Sequence, residues 1–455
     1  MPALSERKIA IVRTLVEQAP DRVVGSLRQA LAETGDESAL GGVKRLVEAE
    51  AADRTLRNTV LQPIAPMCVA GGDSETVLTF PARALALIWR ALKATEAEAI
   101  EKLRKDEHYE AHKLADAQDQ LVAVAAAGLR ERTHPDFAAA VELADRGRDD
   151  GGRQLIAALE IGAVVRRTVQ RMPEWIAHPG GGDTTAGARL AYKDAVAIAD
   201  DAGPLFFHML AAQLAQPWMV MRIISAVMDK PTERYLRDSE LADFAEALLA
   251  DIDASIAAIG AMNAADGPGK GRIGARLAEL VVHQIMEMEG SVELPRDQGW
   301  GLRVMKQRAS LAGVVEARLK EGERAVIEAL PMFAPRNQRV RHQVPRLSAP
   351  PEQRWVTHAT TLLAFSEELR TTANYGGFST ARNKMVEKLG EYIDHYVESV
   401  VDLLHTDEVE DRAIAAAFLE CAADFSLLLR GDKAADLVRR RAQAALHDAG
   451  SRAAG

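Results

Sequence analysis

At 455 residues, 48% of them hydrophobic and 27% charged, the chain carries enough apolar material for a sizeable core and is too long for a single small module. Its formal charge of -10 counts against general nucleic-acid binding, which concentrates positive charge along one face, although local basic patches stay open. Its two cysteines, Cys68 and Cys421, lie too far apart in sequence to suggest a disulfide framework or a Cys-based zinc site, and they suit a reducing compartment.

The first residues, MPALSERKIAIVRTLVEQAPDR, are charged and periodic, without the uninterrupted apolar run of a secretory signal. A cytoplasmic location is the expectation, and the abundance of Ala and of Arg over Lys suggests GC-rich bacterial coding. Ser5 is placed to cap a helix carrying Ile9, Ile11, Val12, Leu15 and Val16. Pro20 ends it, and Asp21 is placed to cap a second helix with Val23, Val24, Leu27 and Leu31. Residues 62–80, with two prolines and two glycines, read as a loop. A helical pattern without proline then runs over 96–132, with Ile100, Leu103, Leu114, Ala117, Leu121 and Val124 at heptad-like spacing.

Further breaks are expected at His134-Pro135, at RGRDDGG near residue 150, at HPGGGDTTAG and at ADGPGKGRIG. Asp183 or Thr184 would cap the helix after the third of these. Between them lies PLFFHMLAAQLAQPWMVMRIISAVM, residues 204–228, the most apolar stretch of the chain. Pro217 splits it into halves of about 18 Å as helices, too short for a hydrocarbon core of about 30 Å, and Arg222 would sit badly in lipid. Its polar residues form narrow stripes, His208, Gln213 and Gln216 on one half and Arg222, Ser225 and Asp229 on the other. That pattern predicts a nearly buried pair of core helices. Met219 and Met221 leave open a pocket or partner surface, because flexible thioethers adapt to what they touch.

The segment 332–353 carries Pro335, Pro345, Pro350 and Pro351 and lacks helical periodicity, which predicts a linker. Four helical patterns follow it, at 354–373, 379–405, 408–430 and 432–448, with Ser379 as a candidate cap. No alternating strand pattern and no repeat of fixed period is found. The fold class expected is therefore all-α: an elongated multi-helix body with long helices, then a C-terminal helical bundle. Its regions are 1–150, 151–331 with a buried 204–228 hairpin, the Pro/Arg-rich linker 332–353, and a four-helix bundle at 354–455.

Signals for chemistry are weak. His108 and His112 stand one helical turn apart, but Tyr109 occupies the place where a zinc peptidase helix needs Glu. Glu391, His395, Glu398, Asp402 and His405 form a stripe whose His-x-x-Glu order reverses the di-iron motif and which lies opposite Leu389, Ile393, Tyr396, Val400 and Leu403, so it is expected to face water. GPGKG at 267–271 lacks the first Gly and the final Ser or Thr of a phosphate loop and reads as an interhelical connection. The Asp-Asp pairs at 149–150 and 200–201 lack the further acidic residue of a diphosphate site.

The basic linker is the best anion-recognition feature, through Arg336, Arg339, Arg341 and Arg346. These four residues, with Met219 and Met221, form the candidate partner or ligand surface. No catalytic residue, metal site or cofactor is expected. The reading is a non-enzymatic cytoplasmic interaction protein, a scaffold or adaptor with protein partners or copies of itself. A helical sensor or carrier of an apolar small molecule, or an all-α enzyme without a recognisable motif, are the alternatives.

Overall fold

The computed structural model describes residues 6–33, 40–70, 78–105, 111–177, 182–199, 202–228, 231–334, 343–406 and 408–453. The protein is all-α: twenty-one α-helices appear among the described residues, and the strands are two ladders of two-residue segments. The chain falls into two compact units, Met1–Phe244 and Ala245–Gly455.

In the first unit the helices are α1 (Glu6–Gln18), α2 (Asp21–Ala30), α3 (Gly41–Val60), α4 (Ala82–Thr95), α5 (Ala97–Lys105), α6 (Ala111–Glu131), α7 (Pro135–Ala144), α8 (Gly151–Glu160), α9 (Gly162–Ala177), α10 (Gly182–Ile198), α11 (Ala202–Ala212), α12 (Val220–Val227) and α13 (Glu233–Arg237). The parallel pair β1 (Cys68–Val69) and β2 (Phe80–Pro81) joins the two ends of the expected 62–80 loop, with Cys68 opposite Phe80. α1 and α2 both lie on α3, where Val16, Val24 and Val47 make a small core of their own.

Asp21 does not cap α2; Pro20 holds the cap position with no side-chain bond, because the Asp21 carboxylate is taken by two arginines of α3. Arg54 and Arg57 each reach it at 2.6 Å, and Arg54 also donates to the carbonyl of Val16 at 2.9 Å. A buried guanidinium with this many acceptors holds the α1–α2 turn in place. Arg166 of α9 does the same deeper in the unit, donating to Asp119 and Gln118 and to the carbonyls of Thr59 and Val60.

The expected run over 96–132 is seen as α5 and α6, with 106–110, and so His108, outside the described residues. The break at His134-Pro135 is a helix start: the His134 ring accepts from the Asp136 N–H at 3.2 Å and Pro135 supplies the fixed φ of a first helical residue. The side chains of Asp183 and Thr184 are outside the description.

In the second unit the helices are α14, which begins just before the division (Ala242–Gly260), α15 (Pro268–Ser291), α16 (Gly299–Ala329), α17 (Gln353–Glu368), α18 (Ala373–Gly376), α19 (Ser379–His405), α20 (Arg412–Arg430) and α21 (Asp432–Ala453). The antiparallel pair β3 (Met332–Phe333) and β4 (Val344–Pro345) ties the two ends of the Pro/Arg-rich segment together. α17 is the central element, packed on α15, α16 and α20. Its Leu362, Leu363 and Phe365 are fully buried, as are Val326 of α16, Ile393 and Tyr396 of α19, and Phe425 of α20.

Two details depart from the sequence reading. GPGKG is a helix start, not a loop: Gly267 takes φ 90° and Pro268 opens α15. Gly271 then lies so close to α17 that a Cβ there would stand 2.0 Å from the Thr361 carbonyl oxygen. Glycine therefore serves close helix packing here, which local sequence does not announce. Ser379 is the first residue of α19 and Phe378 holds the cap position, again without a side-chain bond.

Candidate functional site

The stretch 204–228 is core: Leu205, Phe206, Phe207, Met209 and Leu210 of α11 and Val220, Met221, Ile223 and Ile224 of α12 are buried. Pro217 opens a 3-10 turn, Pro217–Met219, that leads into α12. No helix among the described residues is long and apolar enough to cross a membrane.

The polar stripe of this stretch ties the 62–80 segment down. Gln213 and Gln62 exchange amide bonds, Gln62 Nε2 donating to Gln213 Oε1 at 2.9 Å and Gln213 Nε2 donating to the Gln62 carbonyl at 3.0 Å. One turn earlier, the Leu78 N–H donates to His208 Nδ1 at 3.3 Å. Arg222 on the second half donates to the Ile176 carbonyl at 2.7 Å, tying α12 to α9.

Aromatic packing fixes α11. Tyr192 of α10 stacks on Phe207 at 5.5 Å between centroids, Phe206 meets Phe207 edge-on at 5.4 Å, and the His208 ring lies 4.5 Å from Phe244. On the flank of α11 away from Phe207 a cleft of about 270 Å³ opens, lined by Leu78, Arg153, Gln154, Ala157, Pro204, Leu205 and His208. Arg153 and Ala157 also border an open depression of about 910 Å³, whose charged rim includes Arg130, Arg132, Asp145, Asp149, Asp150 and Glu160.

Burial pushes the His208 ring down to about 4 from 6.5, the Asp243 charge opposing this and the Arg148 charge adding to it. His208 is therefore neutral at ordinary pH. Because Nδ1 accepts the Leu78 N–H, the proton of the neutral ring is on Nε2. A base this weak is a hydrogen-bonding group and not a proton acceptor for catalysis at neutral pH.

Gln154 is oriented by Asp150, whose Oδ2 accepts from Gln154 Nε2 at 2.9 Å. That bond settles which end of the amide is nitrogen, and it leaves Gln154 Oε1 buried with no hydrogen-bond partner among the described residues. The cleft is thus lined by the polar side chains Arg153, Gln154 and His208 together with the apolar Leu78, Ala157, Pro204 and Leu205.

The sequence-predicted site residues are not gathered at one place. Met221 is buried in α12 and Met219 is half-buried beside it, both in the first unit. Arg346 is exposed in the second unit, its N–H bonded to the Pro331 carbonyl at 2.9 Å, and Arg336, Arg339 and Arg341 lie outside the described residues. The stripe of Glu391, His395, Glu398, Asp402 and His405 is exposed along α19. His112 is exposed on α6. Among the described residues no cluster of His, Cys, Asp and Glu is placed to hold a metal. Burial pushes the Cys68 thiol up to about 12 and the Cys421 thiol up to about 11, so both stay protonated at neutral pH.

A second surface feature lies on α1 and α2. Ile11 is 54% and Leu15 63% exposed, one turn apart on α1, and Val23 and Leu27 are exposed at the same spacing on α2. In each helix the exposed pair flanks the residues buried on α3, so the apolar arc is wider than the stripe that α3 covers. Sequence periodicity shows these residues as one face; only the packing shows that half of the face is left open. Compared with protein-family models, with curated proteins and with solved structures, the chain matches none of them.

Proposed function

We propose that the protein is a non-enzymatic helical interaction protein, a scaffold or adaptor of the cell interior. The observation that carries this reading is the exposed apolar pair on each of α1 and α2, Ile11 with Leu15 and Val23 with Leu27. Single exposed apolar residues are ordinary on any surface, and the second unit has several, such as Ile273 and Tyr375. Paired residues at helical spacing on two helices that share one support fit the apolar face of a partner helix. The partner is a protein rather than a nucleic acid, since the net charge of -10 repels a phosphate backbone. The two cysteines are free and their thiols protonated, which suits a reducing compartment.

The test is the double variant Ile11→Glu/Leu15→Glu. Both side chains are exposed, so melting temperature and helicity are expected to stay near the wild-type values. Quantitative affinity purification from the native host is expected to recover partners with the wild type that the variant loses. Equal recovery by the two proteins would refute this surface.

A further inference from the structure

We propose that Arg382, with Arg370 beside it at the end of α17, is a binding site for a terminal phosphate group. This goes beyond the adaptor reading and rests on different residues.

The first observation is a buried cation without a counter-charge. Four arginines are buried among the described residues, and three of them hold a carboxylate: Arg54 and Arg57 share Asp21, and Arg166 has Asp119. Arg382, 8% exposed, has none. Its Nε donates to the Ser366 carbonyl at 2.7 Å, and both terminal nitrogens are left without a protein partner among the described residues. A carbonyl satisfies one N–H but neutralises no charge, and a charge withdrawn from water is stable only when it is paired.

The second is its position. As α17 unwinds, the Arg370 N–H bonds to the Glu367 carbonyl at 3.1 Å, so the Ser366 carbonyl, which a continuing helix would have turned toward Arg370, is open to Arg382. The Arg382 guanidinium therefore sits at the level of Arg370, which is exposed and holds no ion pair among the described residues. Burial and then the Arg370 charge pull the Arg382 guanidinium below its usual pKa, with the Glu367 charge opposing them, so the two cations are close enough to repel. Glu367 makes no ion pair with either among the described residues, and Glu368 is held by Arg276 at 3.3 Å. From 369 to 386 the sequence has no Asp or Glu, while Lys384 adds a further cation. The end of α17 contributes about half a negative charge and the start of α19 about half a positive one, so the helix dipoles offset each other and leave the arginines uncompensated.

Two guanidinia that repel each other are matched by a dianion with several oxygens. A phosphate group with a free end carries about -1.5 to -2 at neutral pH and suits the fork of a guanidinium. A carboxylate brings one charge and leaves the second cation unpaired. The small exposure of Arg382 admits the end of a molecule rather than its middle, which favours a terminal phosphate over the diester of a nucleic-acid strand.

The experiment titrates the full chain at constant ionic strength with inorganic phosphate, with a short peptide whose only charge is one phosphoserine, and with acetate, by calorimetry and phosphorus NMR. Phosphate is expected to bind about tenfold or more tightly than acetate and to raise the melting temperature. Arg370 is exposed, so Arg370→Gln keeps the fold; it is expected to weaken phosphate about tenfold. Arg382→Lys keeps a charge and a donor for Ser366 but loses the fork, and a loss of about the same size is expected. Tighter binding of the peptide than of inorganic phosphate assigns the site to a phosphorylated chain, and binding of inorganic phosphate alone assigns it to a small phosphate. The proposal is overturned if neither phosphate probe binds at millimolar concentration, if acetate binds as tightly, or if phosphate affinity is indifferent to either substitution.

Discussion

The α1–α3 group and the helices around α17 are built from the same kinds of residue, yet they spend their apolar surface differently. Around α17, the helices α15, α16 and α20 enclose Leu362, Leu363 and Phe365 completely, and glycine at 271 lets α15 come within backbone contact. The core that α1 and α2 make with α3 is Val16, Val24 and Val47, while Ile11, Leu15, Val23 and Leu27 face outward. The missing apolar closure is offset by charge: Arg54 and Arg57 converge on Asp21 and on the carbonyl of Val16. Apolar surface thus stabilises the fold around α17 and is left available for contact on α1 and α2.

The largest expected effect tests that contrast directly. Phe365→Ala removes a fully buried ring at the centre of the second unit and is expected to cost about 3–5 kcal/mol, through lost burial and a residual cavity. Leu15→Ala, at a side chain 63% exposed, is expected to stay within about 0.5 kcal/mol. Chemical denaturation of the two variants checks both values. A large loss at Leu15 would mean that the α1 face is covered in the folded chain and would break the comparison.

A second prediction concerns the polar interior of the first unit. Burial holds the His208 ring near 4 in the folded chain against 6.5 when exposed, with Asp243 and Arg148 as the charges that act on it. The folded state therefore binds fewer protons than the unfolded state between these values. The contribution is fully present above pH 6.5 and is lost as pH falls toward 4, amounting to up to about 3 kcal/mol, at about 1.4 kcal/mol per unit. His208→Gln, which keeps an acceptor for the Leu78 N–H, is expected to flatten this part of the stability curve. A wild-type and a variant profile that run parallel from pH 7 to pH 4 would show that His208 protonates freely in the folded chain.

Much of the fold was legible because helix starts and stops are local. The 379–405 pattern coincides with α19, and the exposed stripe of Glu391, His395, Glu398, Asp402 and His405 follows from the period of 3.6 residues alone. The cleft was not legible in the same way. His208 stood out only as one member of a polar stripe, and its partner at Leu78 is 130 residues away in sequence. Gln154 carries no local signal at all; its oxygen is left without a partner among the described residues after Asp150 has taken the nitrogen. GPGKG was misread for the same reason, since the helix that requires glycine at 271 lies some ninety positions further on.

The smallest effects come from two glycine substitutions of opposite sign. Alanine is favoured over glycine inside a helix by about 0.5–1 kcal/mol, because it leaves the unfolded chain less freedom to lose. At Gly25, exposed in α2, an added Cβ meets nothing within 4 Å, so Gly25→Ala is expected to gain the whole of that term. At Gly271 the same Cβ would lie 2.0 Å from the Thr361 oxygen, a backbone atom that moves only if α17 moves. Overpacking of this kind costs about 1–3 kcal/mol, which against a helix term of about 0.5–1 kcal/mol leaves a net loss of up to about 2.5 kcal/mol. Melting curves of the two variants distinguish the regions by sign rather than by size. Should Gly271→Ala also stabilise the protein, the close contact of α15 with α17 would not be a constraint, and the enclosed character assigned to that region would have to rest on its large side chains alone.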